Sequence, residues 1–299
     1  MSEGGQVKSG LMSIGEEAKP PFAVAPAPVA VFAARAARLE ALAAGHAVEG
    51  YLRLVAGICQ AQAEVVTGLP PVSAPLASHQ GMPPLQVDTL QVEGSLEETL
   101  VALSHALANL DAPADFKVAI GRIRDREPEA RRALLAAIVD GEGAGDDIAT
   151  EVIATAALQV HLTRLAALVD AEKLEPVADG VCPACGSPPV ASAVVSWPNA
   201  SNTRFCTCSL CATQWHVVRL KCASCGSTAG VSYPHIEGQK ETLRAETCDV
   251  CRRYVKIVYQ IKDPAHEPFA DDIATLDLDL VLKAEGWTRG GRNPFLLGY

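Results

Sequence analysis

The chain has 299 residues, a formal net charge of −10 at pH 7, 49% hydrophobic residues and only 5% aromatic residues. Its length predicts two domains. The excess of negative charge argues against nucleic-acid binding, because neutralising phosphates requires a basic surface. Its alanine-rich stretches carry a charged residue or a histidine every few positions, so no membrane span is predicted.

The first half of the chain is predicted to be helical. Residues 1–20 are polar and rich in glycine, and we expect them to be disordered. Beyond them, apolar residues recur at steps of three and four, which is typical of amphipathic helices. The predicted helices cover 29–45, 48–67, 95–110, 114–124, 127–140 and about 147–169. These helices predict an all-α bundle over residues 21–178, interrupted by a proline-rich loop at 69–92.

Eight of the ten cysteines lie in four C-x-x-C pairs in the last third of the chain. In each of two copies, 22 residues separate the second and third cysteines, and the copies are offset by 40. The first copy contains Cys182, Cys185, Cys208 and Cys211, and the second contains Cys222, Cys225, Cys248 and Cys251. Two residues between cysteines let a tight turn direct both thiolates at one ion, and a β-hairpin can bring a second turn back. Each copy therefore predicts a tetrahedral four-thiolate metal site.

Residues around the cysteines repeat as well. Gly186 and Gly226 each follow the second cysteine of a copy, where such a turn usually needs a positive φ. The stretches 215–218 and 255–258 are rich in β-branched and aromatic residues, which predicts a strand after each copy. Pairing the first two turns and the last two turns preserves this repeat, whereas crossed pairing would break it.

The predicted fold class is therefore α+β. An N-terminal all-α helical bundle is followed by a tandem pair of rubredoxin-like or zinc-ribbon four-cysteine modules. The duplicated metal-binding domain spans 179–299, with its modules at about 180–219 and 220–260. A C-terminal helix is predicted over 271–285, followed by a tail.

Disulfides are the competing interpretation of the cysteines. The first residues, Met-Ser-Glu-Gly-Gly-Gln, lack the basic and apolar regions of a secretory signal. Without export the thiols stay reduced, and C-x-x-C pairs then favour metal or redox chemistry. A thioredoxin-like motif is disfavoured, because it has one C-x-x-C in a βαβ pattern rather than four in tandem. Four-thiolate sites accept both iron and zinc, so the spacing does not choose between them.

Two further residues are candidates for a role beside the metal ligands. Cys206 precedes Cys208 by two positions, where it can replace that ligand or react when oxidised, or simply be a small, partly buried strand residue. His216 can donate a hydrogen bond to a thiolate or act as an acid or base, or be an ordinary strand residue. No Ser-His-Asp order, phosphate-binding glycine loop or H-E-x-x-H motif occurs in the sequence. No catalytic residues are therefore assigned, and the protein is not expected to be an enzyme.

The residues flanking the cysteines resemble the formate dehydrogenase accessory protein (FdhE) family. The matching segments are 182–187, 208–219, 221–225, 245–251, 256–264, 270–276 and 293–296. Looser matches occur in the helical half, and the resemblance covers nearly everything from about residue 28 onward. Cys206 departs from the family pattern, in which this position is apolar.

This resemblance implies a cytoplasmic, non-catalytic maturation factor that supports formation of active formate dehydrogenase and binds its catalytic subunit. It also implies two bound metal ions, with iron favoured over zinc. One alternative is a redox or sulfur-transfer enzyme that uses iron–thiolate sites. Another is a zinc-ribbon protein that binds nucleic acid or serves as a scaffold, although the acidic charge predicts no nucleic-acid partner. The sequence leaves a homodimer open.

Overall fold

The computed structural model describes residues 19–73, 81–87, 94–143, 145, 147–198, 200–238 and 241–296, with the side chain of residue 201 excepted. Most of the N-terminal segment predicted to be disordered, and much of the proline-rich loop, lie outside these residues. Helices dominate the first half of the described chain and strands the second, although Ala23–Val24 joins the sheet and two helices follow residue 267. The predicted α+β fold class is confirmed.

Six α-helices precede the metal-binding region in the described residues. They are α1 (Pro28–Ala43), α2 (Glu49–Gly68), α3 (Gly94–Ala106), α4 (Ala114–Asp125), α5 (Pro128–Val139) and α6 (Ile148–Ala166), with short 3-10 helices at Leu107–Asn109 and Ala171–Lys173. Helix α6 is buried on nearly all sides, which is typical of a central core helix. Its N-terminus is capped by Asp147, whose side chain accepts a hydrogen bond from the Thr150 amide at 3.0 Å.

Eight described strands form one continuous sheet. They are β1 (Ala23–Val24), β2 (Pro189–Trp197), β3 (Ala200–Cys208), β4 (Gln214–His216), β5 (Val231–Ser232), β6 (Leu243–Cys248), β7 (Arg253–Val258) and β8 (Thr288–Arg289). The order is β1-β4-β3-β2-β7-β6-β5, and β8 lies beside β7. Strands β2 and β7 run parallel, with Ser192 opposite Ile257. The two metal modules therefore share one sheet, which is continuous across this parallel pair.

Two helices lie between β7 and β8, namely α7 (Pro268–Ala274) and α8 (Leu276–Ala284), where one helix was predicted over 271–285. The helix is interrupted at Thr275, whose φ of −121° and ψ of 46° are not helical. The buried ammonium of Lys256 donates to the carbonyls of Asp272 and Thr275 at 2.8 and 2.9 Å. A side chain distant in sequence thus binds carbonyls at the helix junction, and apolar periodicity cannot reveal this.

The helical part is attached to the metal-binding part through α1 and α7. Arg38 donates to both carboxylate oxygens of Asp271, at 3.0 and 2.6 Å. Arg35 is fully buried beside it, and its guanidinium lies 4.2 Å from the ring centroid of Phe269. One hydrophobic cluster extends from α1 to the cysteines of the first module. Among the described helices, none is long and apolar enough to cross a bilayer.

Candidate metal centres

The four cysteines of the first copy converge into one group, called site 1 here. The Sγ atoms of Cys182, Cys185, Cys208 and Cys211 all lie within 4.8 Å of one another. Cys182 Sγ lies 3.6 Å from Cys211 Sγ, and Cys185 Sγ lies 3.4 Å from Cys208 Sγ. Metal–sulfur bonds of about 2.3 Å in a tetrahedron place sulfurs about 3.8 Å apart. Site 1 is therefore of the size that one ion requires, and all four cysteines are buried.

The second copy forms an equivalent group, called site 2. The Sγ atoms of Cys222, Cys225, Cys248 and Cys251 also lie within 4.8 Å of one another. The Cys222–Cys251 and Cys225–Cys248 sulfur separations are both 3.8 Å. Unlike site 1, this group reaches the surface: Cys225 is exposed and Cys251 is half-buried. The structure thus groups the cysteines as sequential copies rather than in the crossed arrangement.

All four C-x-x-C turns share one backbone conformation. The residue after the second cysteine has a positive φ in each turn: 81° at Gly186, 58° at Ala212, 72° at Gly226 and 57° at Arg252. The two glycines were expected from the sequence. Ala212 and Arg252 were not, because a non-glycine residue adopts this conformation only at a cost that its surroundings must offset.

Backbone amides also support the thiolates. The amides of Ala184, Ser224 and Cys211 donate to the sulfurs of Cys182, Cys222 and Cys208, each at 3.4 Å. Such hydrogen bonds stabilise a thiolate, because the amide dipole points its positive end at the sulfur.

Protons and metal compete for the sulfurs of site 1. Burial raises the pKa of the Cys182 thiol. Hydrogen bonds with the neighbouring cysteines lower the pKa of the Cys185 thiol well below its usual value. Since a metal ion takes the place of the thiol protons, binding releases protons and is favoured by higher pH.

Site 1 is sealed by the helical half of the chain. On the α6 side, Gln159 Nε2 donates to the Ser209 carbonyl at 2.8 Å, and Thr163 Oγ1 donates to the Leu210 carbonyl at 3.4 Å. On the other side, residues 81–87, a loop of turns and bends, run along the first turn. Their amides at Leu85 and Val87 donate to the carbonyls of Ala184 and Cys185, at 2.9 and 3.4 Å respectively. Both turns of site 1 are therefore integrated into the protein interior.

Site 2 is supported from behind by a carboxylate. Glu246 is buried on β6 and accepts a hydrogen bond from the Ala223 amide, inside the third turn, at 2.7 Å. The other carboxylate oxygen pairs with the buried guanidinium of Arg204, which also donates to the Lys221 carbonyl at 3.3 Å. This carboxylate thus holds the turn that carries Cys222 and Cys225.

Sequence reasoning missed Glu246, although the repeat contains a signal for it. At the offset of 40 residues, Glu246 corresponds to Cys206, and Ala223 corresponds to Pro183. Proline has no amide hydrogen, so the first turn of site 1 needs no acceptor there. The third turn exposes an Ala223 amide to the interior and is matched by a carboxylate.

Cys206 lies outside both groups of four sulfurs. It is fully buried on β3, opposite Ser192 on one side and Trp215 on the other. Burial raises the pKa of its thiol to about 12, and the nearby Arg204 offsets this only in part. A thiol with this pKa is protonated at neutral pH and is a poor nucleophile.

His216 lies on β4, and the cavity that it lines touches one turn of each site, at Pro183 and at Cys222. Its half-buried ring meets Phe205 edge-on, with the centroids 5.9 Å apart, and burial lowers its pKa. The ring lines a cavity of about 260 Å³ that also touches Lys221 and Cys222. Its predicted role as a hydrogen-bond donor or acid–base group stays a prediction.

Three family models match consecutive parts of the chain. One described as FdhE, N-terminal, matches residues 20–179, one described as FdhE, central domain, matches 181–219, and one described as FdhE, C-terminal domain, matches 220–296. The central model covers site 1, and the C-terminal model covers site 2.

Full-length relatives agree with these models. A protein of Rhizobium meliloti called Protein FdhE homolog is 37% identical over 294 residues, which cover 96% of each chain. A protein of the same name from Stutzerimonas stutzeri is 39% identical and covers 93% of each chain. The crystal structure of the FdhE protein from Pseudomonas aeruginosa matches with a TM-score of 0.82 and 36% identity, over 93% of this chain and 99% of that one. The chain therefore belongs to the FdhE family of formate dehydrogenase accessory proteins.

Proposed function

We propose that this protein is a cytoplasmic maturation factor that binds the catalytic subunit of formate dehydrogenase before that subunit becomes active. It acts by binding rather than by turnover. Its membership of a family of accessory proteins over nearly the whole chain supports this assignment. The unequal exposure of its two four-cysteine groups supports it further.

The single observation that carries the proposal is the difference between the two sites. Site 1 is enclosed by α6 and the 81–87 segment, so a metal ion there joins the helical and sheet parts of the fold. Site 2 has the same arrangement of sulfurs but is open to solvent at Cys225. The metal ion at site 1 therefore stabilises the fold, whereas site 2 remains available to a partner.

We propose that each group of four cysteines holds one iron ion. Four thiolates at tetrahedral spacing accept iron or zinc, and the family resemblance favours iron. An iron ion in such a site can exchange one electron, whereas zinc is redox-silent. Metal analysis of protein purified without oxygen tests this assignment, with two iron ions per chain as the expected result. Two zinc ions per chain would contradict it.

Binding to the enzyme is tested with purified components. The full chain, loaded with metal, is titrated with the purified catalytic subunit from the same organism, and complex formation is followed by interferometry. In parallel, formate-dependent dye reduction is measured in cells with and without the gene. We expect a stoichiometric complex and loss of formate dehydrogenase activity without the gene. Full activity in the deletion strain together with no complex would overturn the proposal.

One observation favours a second candidate function. The exposure of Cys225 opens site 2 to an external donor or acceptor, as an electron- or sulfur-transfer protein requires. A reversible visible absorbance change of iron-loaded protein that keeps pace with formate dehydrogenase activation would support this alternative. Activation by protein carrying only zinc would exclude the electron-transfer version.

A further inference from the structure

We propose that the exposed turns of site 2 are the docking surface for the catalytic subunit, and that this surface receives a loop segment of that subunit. We call the surface the site 2 face and define it as the third and fourth turns, residues 222–226 and 248–252. This inference deepens the proposed function and rests on it. Its basis is that the first module already uses its equivalent surface to bind other parts of this chain.

The first module shows the binding mode. Its two turns present backbone carbonyls outward, and the rest of the chain supplies the donors. The 81–87 segment donates the Leu85 and Val87 amides to the carbonyls of Ala184 and Cys185. Side chains of α6 donate to the carbonyls of Ser209 and Leu210. A C-x-x-C turn pair in this protein is therefore a surface of hydrogen-bond acceptors, which a loop segment and a helix can cover.

The second module has the same pair of turns, but no other part of the described chain covers them as α6 and the 81–87 segment cover site 1. At the offset of 40, Leu210 corresponds to Val250 and Cys185 to Cys225. Leu210 is half-buried, whereas Val250 is 62% exposed, and Cys185 is buried whereas Cys225 is exposed. Among the described residues, none donates a hydrogen bond to the carbonyl of Cys225, Asp249 or Val250.

One acceptor differs between the two modules. The carbonyl corresponding to that of Ala184 belongs to Ser224, and it faces Gly180, where an added Cβ would lie 2.5 Å from the oxygen. The chain at Gly180, which leads from the helical half into the first module, therefore occupies this corner of the surface. Docking by a partner involves the carbonyls of Cys225, Asp249 and Val250.

The chemistry of the surface specifies its occupant. It presents carbonyl oxygens and thiolates whose negative charge exceeds that of one divalent ion. Its one cation, Arg252, lies 3.4 Å from the Asp249 carboxylate and stacks on Trp287. The surface therefore offers mainly acceptors and needs donors. It also presents an apolar contact at Val250. Leu220, which is 69% exposed and lies two residues before Cys222, extends the apolar character along the chain. A loop segment with free backbone amides and at least one apolar side chain satisfies both needs, as the 81–87 segment does at site 1.

A second copy of this chain does not suit the same surface. A symmetric dimer through the site 2 face would place the same patch against itself. Carbonyls would then face carbonyls. Such an interface leaves the carbonyls without donors, because Arg252 already pairs with Asp249, and it brings two negatively charged thiolate groups together, which costs binding energy. A partner that brings its own amides avoids both problems.

The test uses two substitutions on the surface and one matched control elsewhere. Val250→Asp and Val250→Ser change the apolar contact, whereas Leu168→Asp changes a residue of the helical half that is 54% exposed. Each full-length, metal-loaded variant is titrated with the purified catalytic subunit. We expect Val250→Asp to weaken binding about tenfold or more, Val250→Ser to weaken it less, and Leu168→Asp to bind like the unmodified protein.

Two further measurements make the result interpretable. Every variant is checked for two metal ions per chain, so that weaker binding cannot be attributed to a damaged site 2. Hydrogen exchange of the complex is then compared with that of the free protein. We expect new protection of backbone amides in 222–226 and 248–252, together with protection of one continuous stretch of the catalytic subunit.

The outcomes separate this inference from the proposed function. If the catalytic subunit binds all three variants equally and protects another surface, the docking surface is overturned while the proposed function stands. If the unmodified protein does not bind the subunit at all, both are overturned. If site 2 becomes protected in the free protein as its concentration rises, a second copy is the occupant and the inference is overturned.

Discussion

Arg204 and Glu246 form a fully buried ion pair that connects the two metal modules. Arg204 lies on β3 of the first module and Glu246 on β6 of the second, with side chains 0% and 1% exposed. Ser192, on β2 between them, accepts from two nitrogens of Arg204 at 3.1 and 3.0 Å. Burial opposes the charge, but the facing carboxylate outweighs it and raises the pKa of Arg204. Among the described residues, neither group forms an ion pair with a third residue.

The first prediction concerns this pair. Glu246→Gln removes the carboxylate that neutralises Arg204 and accepts from the Ala223 amide. Breaking a buried pair by removing one partner costs about 3–5 kcal/mol, so the free energy of unfolding should fall by this amount. Groups that orient metal ligands affect metal affinity about 10–100-fold, so site 2 should bind its ion more weakly. Urea unfolding and metal content after chelator treatment measure the two effects.

A surface ion pair provides the control for this prediction. Arg244, at the position corresponding to Arg204, pairs with the exposed Glu241 at 3.0 Å. Such pairs contribute about 0–1 kcal/mol, so Arg244→Ala should leave both stability and metal retention nearly unchanged. Equal loss of metal from sites 1 and 2 in Glu246→Gln would contradict the proposed role of the carboxylate.

The second prediction compares the corresponding cysteines of the two sites. Cys225→Ser changes an exposed ligand of site 2, whereas Cys185→Ser changes a buried ligand beside the 81–87 segment. We expect both variants to hold one metal ion per chain. Only Cys185→Ser should also loosen the contact between the helical and sheet parts, because the site 1 turns bind both α6 and this segment.

Limited proteolysis and metal analysis together distinguish the two cysteine variants. Cys225→Ser should resist cleavage in its helical part as the unmodified protein does, while Cys185→Ser should be cleaved faster there. In the unmodified protein, a chelator should remove one ion faster than the other, since site 2 is open to solvent. Release of both ions at one rate would argue against the difference between the sites.

The metal sites also show which features of the fold the sequence predicts and which it does not. The spacing of the cysteines predicted which four sulfurs meet, because two intervening residues define a local turn. The Arg204–Glu246 pair joins residues 42 positions apart, and no local pattern encodes it. The parallel contact between β2 and β7 is equally non-local. The predicted helix over 271–285 divides at Thr275, where the Lys256 ammonium reaches the backbone from another element.

The third prediction tests the close contact between Gly180 and the turn of site 2 that contains Ser224. Gly180 has a φ of +79°, and an added Cβ would lie 2.5 Å from the Ser224 carbonyl oxygen. Gly45 has a similar φ of +73° with no atom within 4 Å of that position. Both alanine substitutions should lower the free energy of unfolding by about 1 kcal/mol, because alanine is disfavoured in the left-handed backbone conformation. Only Gly180→Ala forces the neighbouring turn to move, which should cost about 1–3 kcal/mol more.

The two glycine variants are compared by urea unfolding at neutral pH. We expect Gly180→Ala to be the less stable and also to release the site 2 ion faster to a chelator, because Ser224 lies between Cys222 and Cys225. Gly45→Ala should retain its metal normally. Identical stability and metal retention in the two variants would show that the contact between Gly180 and Ser224 is unimportant.

The last prediction concerns the pH dependence of stability. His161 is buried in α6, and burial, aided by the neighbouring Arg164, lowers its pKa to about 4. Within the described structure its Nδ1 has no hydrogen-bond partner. An unfolded histidine has a pKa of about 6.5. Between these values the unfolded chain binds a proton that the folded chain does not, so stability falls as the pH falls through this range. The loss from pH 7 to pH 5 should be about 2 kcal/mol.

His161→Gln removes this titration and should remove that part of the pH dependence. The free energy of unfolding is measured at pH 7 and pH 5 for the unmodified protein, for His161→Gln and for His105→Gln, which changes an exposed residue of α3. Metal release at low pH weakens all three proteins alike, so the comparison between variants at each pH isolates the histidine. The difference between the unmodified protein and His161→Gln should shift by about 2 kcal/mol in favour of the variant at pH 5. A parallel pH dependence of these two proteins would mean that His161 is protonated to the same extent in the folded and unfolded chains.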